Sequence, residues 1–407
     1  MSIGSYVNSI LILLGVFIMQ QLSFIQNVFI SIIVGLFFTA CQSTIIKIPP
    51  SEHLLYDQGF SGFSEVSIQS EQQIFYLDDT AKAFVASTLE PVNNKNAQME
   101  ALVKAIFDRS ELNLLYQGDA NTNANDTFHF QAANCLSLSI MTYALASEAG
   151  FSAYFQEIMI PEYWTRRAGF SLLNGHINIK ILAPRQADVF VLNSRSYQVD
   201  FDPQPLRYGF PKKVVTKQAV LSMFYNNKGA DAFLQKDFVT AYAYFREALI
   251  VKPNFDSAWV NLGILFRLSE YFPQAEKAYQ HALVINPDSL TALENLAYLY
   301  TFTGRIDEAE NILKKVDAQR NNNPYYHVNL GEQELEQKHW DQALTHFRRA
   351  LALDKSKHEV YFGLARAYYE IGELQQSERY FKQAKNKASN KHDEDKYQSK
   401  LEFLSNL

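Results

Sequence analysis

Apolar and polar positions divide this chain into three regimes. Residues 10–40 are mostly apolar, broken by polar residues such as Gln20, Gln21 and Asn27. From about residue 76 the apolar positions take helical spacing. Asp78, Asp79 and Thr80 are candidate caps for a helix reaching Leu89, and 97–108 sets Met99, Leu102, Val103, Ile106 and Phe107 on one helical face. Residues 117–127, QGDANTNANDT, predict a polar loop. Over 134–149 apolar side chains point in nearly every direction (Leu136, Leu138, Ile140, Met141, Tyr143, Leu145), as expected of a helix at the centre of a domain, and Gly150 follows as its C-terminal cap. The period then changes to two, predicting strands over 151–160, 176–182, 189–192 and 197–201. From His176 to Ile181 the alternation is strict, which puts His176 on a polar face and Ile177, Ile179 and Ile181 on a core face.

The third regime starts near Ser222 and repeats every 34 residues through five copies. A small residue recurs at Gly229, Gly263, Ala297, Gly331 and Ala365, and another at Ala241, Ala275, Ala309, Ala343 and Ser377. Large residues fill between them at Phe245, Tyr279, Leu313, Phe347 and Phe381, each followed by a further column at Ala248, Ala282, Val316, Ala350 and Ala384. Small residues belong where paired helices approach closely. Residues 392–407 predict a polar final helix that caps the stack. Few contacts need cross the Pro- and Lys-containing stretch before the array, so the array from Ser222 onward is expected to fold alone.

The expected organisation is therefore 1–40 signal peptide or membrane segment, 41–75 tether, 76–203 an α+β domain, 204–221 linker, 222–391 five helical repeats and 392–407 capping helix. A chain of 407 residues suits two or three domains, and 47% hydrophobic residues supply ample core. A formal charge of −6 gives no reason to expect nucleic acid. No metal-ligand spacing, P-loop or GxGxxG run is present, so no metal and no cofactor is expected. His129 and Asp126 are read as loop residues.

The repeat pattern resembles the tetratricopeptide repeat, and Trp259-x2-Leu262-Gly263-x2-Phe266 carries the likeness best. The resemblance implies a groove for a peptide or protein partner, faced by Arg267, Tyr298, Phe302, Tyr325, Phe362, Arg366 and Tyr369. Packing within the solenoid is the alternative role for each of them.

The chemistry gathers around Cys135. It lies in the first turn of the central helix, where unpaired N–H groups and the helix dipole favour a thiolate. His176 opens a strand and Asp200 closes a later one. Nucleophile, base and orienting acid in that order make chemical sense. The stretches NCLSLS, GHINIKI and YQVDFDP resemble the cysteine helix, histidine strand and aspartate strand of the transglutaminase-like branch of the papain-like cysteine fold. That resemblance implies Cys135 as nucleophile, His176 as base and Asp200 as orienting acid. Asp202, which directly precedes Pro203 as the family's aspartate often does, is the alternative acid. Membership would make the chain a cysteine-dependent amide hydrolase or acyl transferase with a protein-binding array. The alternative is a non-catalytic scaffold, because a cysteine in an apolar helix is commonly an inert packing residue.

Residues 28–40 form an apolar run of 13, short for a membrane span and suited to a signal-peptide core. Phe38-Thr39-Ala40-Cys41-Gln42 resembles a bacterial lipobox. The resemblance implies lipidation of Cys41 and a place in the cell envelope, on the periplasmic face of the outer membrane because Gln42 follows the cysteine. Either Met1 or Met19 could start the chain, and an N-terminal transmembrane anchor is the alternative. With two cysteines in all, a lipid on Cys41 would leave Cys135 unable to form an intramolecular disulfide.

Overall fold

The computed structural model describes residues 51–113, 115–116, 120–130, 132–182, 196–200, 210–388 and 391–405. Cys41, Asp202 and the strand expected over 189–192 lie outside the described residues.

Several helices precede the central one. Asp78 caps Asp79–Leu89 by accepting from Ala81 N at 2.9 Å. Helix Lys95–Asn113 follows, then β1 (Leu115–Tyr116), helix Ala124–Phe130 and β2 (Ala132–Ala133), which pairs parallel with β1. His129 and Asp126 thus stand in a short helix rather than in the expected loop, where Asn123 serves as cap by accepting from Asp126 N. The cysteine helix runs Cys135–Glu148 and ends at Gly150, whose φ of 75° lets Phe151 N reach back to Ala146 O.

Beyond it come β3 (Ser152–Ile158), the hairpin β4 (Trp164–Arg167) and β5 (Phe170–Leu173), β6 (His176–Leu182), β7 (Ser196–Val199) and β8 (Lys212–Val215). The main sheet has the order β7-β6-β3-β8, every pair antiparallel. Ile177, Ile179 and Ile181 of β6 join Phe155 of β3 in a buried layer with the cysteine helix. The opposite face departs from expectation. His176 and Asn178 are buried as well, at 1% and 0% exposure, so the polar side of β6 is not a solvent face. Lys212–Val215, expected within a linker, is an edge strand of the sheet, and the first repeat helix begins at Lys217.

Five helix pairs follow: Lys217–Leu234 with Phe238–Val251, Asp256–Leu268 with Phe272–Ile285, Leu290–Phe302 with Ile306–Arg320, Pro324–Glu336 with Trp340–Leu353, and His358–Glu370 with Leu374–Lys387. Helix Lys391–Ser405 closes the stack. The small-residue column works as its spacing implies. A Cβ on Gly229 would lie 2.6 Å from the Phe245 ring, on Gly263 2.5 Å from Tyr279 and on Gly331 2.8 Å from Phe347. The backbone repeats too: Lys236, Glu270, Gly304, Lys338 and Gly372 each turn a first helix into its partner with φ between 63° and 84°.

The array does not stand apart from what precedes it. One buried apolar cluster runs from Phe60 through Ile179 to Ala309, so the middle region and the first three repeats share a core. More apolar contact crosses the boundary than was expected of an array that folds alone. The expected tether is docked as well. Phe60 stacks on Tyr242 with ring centroids 4.4 Å apart, and Asp57 accepts from Tyr242 Oη at 2.7 Å and from Arg246 Nε at 2.9 Å. The hairpin reaches later repeats. Its tight turn, Ala168 (φ 50°) and Gly169 (φ 81°), is the left-handed pair that suits a two-residue connection. At its base Glu162 accepts from Arg320 Nε at 2.7 Å. On β4 Arg166 Nε donates to Glu336, and on β5 Ser171 Oγ donates to Asn329 at 2.8 Å.

Candidate active site

The cysteine helix has a well-made start. Asn134 is its N-cap, with extended backbone, and its Oδ1 accepts from Ser137 N at 2.9 Å. Cys135 is the first helical residue, 7% exposed. One turn further in, Ser139 Oγ donates to Ile177 O at 3.4 Å. That bond ties the helix to the residue after His176 and sets the start of β6 beside the start of the helix.

His176 Nε2 bonds to Asp200 Oδ1 at 2.8 Å. Burial of the imidazole works to lower its pKa. The hydrogen bond to Asp200 and the hydrogen-bonding and charge interaction with Cys135 outweigh burial and push it up to about 9. Cys135, His176 and Asp200 are therefore brought together.

Asn178 was not singled out from the sequence. Its Nδ2 donates to Asp200 Oδ2 at 3.0 Å, so the carboxylate is held at both oxygens. Register explains why. Ile179 pairs with Val199, which sets Asp200 opposite Asn178, while Gln156 pairs with Asn178 from the other side. The alternation that placed His176 on one face places Asn178 there too, two residues on, and that was the signal.

The remaining candidates are dispersed. His129 Nε2 bonds to Asp78 Oδ2 at 2.7 Å, and together with the Ala81 N–H it holds that carboxyl below its ordinary range. Among the described residues no cluster of His, Cys, Asp and Glu could hold a metal ion. A cavity of about 590 Å³ opens between Ile160–Tyr163 of the hairpin base and the turns at Asn323 and Lys357, and its lining includes neither Cys135, His176 nor Asp200. Of the expected groove residues, Tyr325 packs edge-on against Tyr163 of the chain's own hairpin at 4.8 Å. Phe362 lies on Tyr397 and Tyr369 on Phe403, both rings of the capping helix. Arg366 pairs with Glu332 at 2.5 Å, and Arg267 is near the buried Tyr279. Tyr298 and Phe302 are 49% and 71% exposed.

Residues 269–330 and 334–401 match the family model described as tetratricopeptide repeat. No curated protein matches the chain. Solved structures similar to parts of it include MamA, at 18% identity over 41% of this chain and 91% of that one, with a TM-score of 0.24. A tetratricopeptide repeat protein from Parabacteroides merdae is 21% identical over 46% of this chain and 73% of that one, with a TM-score of 0.28. A thermophilic repeat protein of Thermus thermophilus is 18% identical over 46% of this chain and all of that one, with a TM-score of 0.31. The C-terminal part of the chain is a tetratricopeptide-type helical array, a scaffold of the protein-interaction kind, with a small sheet region N-terminal to it.

Proposed function

We propose that this scaffold carries a cysteine-dependent acyl-transfer centre of the transglutaminase-like kind, acting on peptide or protein amides by hydrolysis or transfer. The observation that supports it is one imidazole, His176, bonded to Asp200 and interacting with Cys135 at a capped helix start. In this reading Cys135 Sγ attacks the amide carbonyl carbon and the C–N bond breaks. The amine leaves with the proton carried by His176, and a thioester remains. Water or a second amine, deprotonated by His176, then releases the acyl group. Asp200, fixed by Asn178, keeps the ring in register.

The test is iodoacetamide alkylation of the full-length protein across pH, with the modified residue located by mass. Rapid labelling of Cys135 at pH 7 is expected, slowed more than tenfold in His176→Ala. Because the folded pKa of His176 is raised to about 9 from 6.5, its protonation adds stability that is fully present below about 6.5 and lost as pH rises through about 9. The stability difference between wild type and His176→Gln should shrink over that window, by at most about 3 kcal/mol. A second reading, a non-catalytic module, is favoured by the burial of Cys135 at 7% and His176 at 1% exposure. Labelling of Cys135 only after denaturation would establish it.

A further inference from the structure

We infer that the first repeat belongs to the cysteine site, with Asp231 and Asn121 as positioning residues for Cys135; the inference rests on the thiol reading above. A capping asparagine has two ends of opposite polarity, and only its oxygen can accept from the helix. Something must therefore hold the nitrogen end of Asn134. Asn134 Nδ2 donates to Asn121 Oδ1 at 2.6 Å, and Asn121 Nδ2 in turn donates to Asp231 Oδ2 at 2.5 Å. Asp231 lies on the first repeat helix, Lys217–Leu234, 110 residues from Asn121. A second residue of that helix, Asn227, donates to the same Asn121 oxygen at 3.2 Å.

The direction of the whole chain of bonds is fixed at its far end. An ionised carboxylate can only accept, so Asp231 selects the nitrogen of Asn121. Asn121 must then turn its oxygen to Asn134, and Asn134 its oxygen to Ser137 N. Asn121, Asn134 and Ser137 are all buried, at 7%, 7% and 1% exposure, so water does not substitute for a missing partner there. The other oxygen of Asp231 takes Arg167 from the hairpin tip. One carboxylate of the array thereby sets the polarity of the cap beneath Cys135, and with it the helix N-terminus that the thiol faces.

The experiment is alkylation of Cys135 in full-length variants from pH 6 to 10. Asp231→Leu removes the fixed acceptor. Its rate at pH 7 should fall about tenfold and return to within twofold of wild type at high pH, where thiols ionise regardless. Glu336→Ala, which removes the Arg166 ion pair elsewhere on the seam, should leave the profile unchanged. If Asp231→Leu lacks a cooperative thermal transition, the isosteric Asp231→Asn is read instead. It should also slow labelling, since Asn keeps an acceptor at only one of the two oxygen positions, and its NH2 at the other faces the donor of either Asn121 or Arg167. A wild-type profile in the folded Asp231 variant, alongside slow labelling in His176→Ala, overturns the brace and leaves the thiol reading standing. Unchanged labelling in His176→Ala overturns both.

Discussion

Within the array, three repeats join their two helices by setting a glycine against a ring, Gly229 on Phe245, Gly263 on Tyr279 and Gly331 on Phe347. Across the seam to the middle region, the shared apolar core is accompanied by polar contacts that do not follow the 34-residue period. Arg320, 2% exposed, is held by Glu162 from the hairpin base and Glu294 from the third repeat, and its guanidinium lies 4.9 Å from the Trp164 ring centroid. Arg166 takes Glu336 and Arg167 takes Asp231. The first kind of contact tolerates any close-packed residues of the right size and so can be copied along a solenoid. The second kind fixes one partner in one place. The array is thus generic inside and specific where it meets the sheet region.

The contrast can be broken most forcefully at Arg320. Arg320→Ala leaves Glu162 and Glu294 facing each other without a cation and should cost about 3–5 kcal/mol in urea unfolding of the full chain. A loss under about 1 kcal/mol would rank this pair with ordinary surface bridges and dissolve the distinction. Inside the array, Gly263→Val should cost about 2–3 kcal/mol, because its Cβ meets the buried Tyr279 ring at 2.5 Å. A smaller cost would mean that the repeat interface yields more readily than its spacing implies. The finest probe is the turn between paired helices. Lys338 holds φ 63° where two other repeats place Gly304 and Gly372. Lys338→Gly should stabilise by about 1 kcal/mol, measured as a higher urea midpoint at unchanged slope.

The same contrast explains what could be read from the sequence. The 34-residue period, the all-round apolar cysteine helix with Gly150 at its end, and the strict alternation from His176 were legible because each repeats a physical constraint along the chain. Lys212–Val215 was not. It is an edge strand whose Lys212, Lys213 and Val214 remain exposed, so it has no apolar alternation to show. The burial of His176 was hidden for a related reason: alternation says which residues share a face, not whether another element covers it. The Asn121–Asp231 and Glu162–Arg320 contacts join residues 110 and 158 positions apart, and nothing in the local sequence marks them.

Docking of the segment around Phe60 onto the second helix of the first repeat constrains how the protein can be made. Tyr56 and Tyr242 are bonded across 186 residues, and Tyr271 Oη reaches Gly59 O across 212. At about 5–20 residues per second, a ribosome needs roughly 10–40 s to deliver Tyr242 after Tyr56 has been added. Throughout that interval Tyr56, Phe60 and Phe63 have no ring to rest against. The segment around Phe60 therefore cannot be finished when it is made, and its aromatic residues wait for the first two repeats to emerge before they are covered.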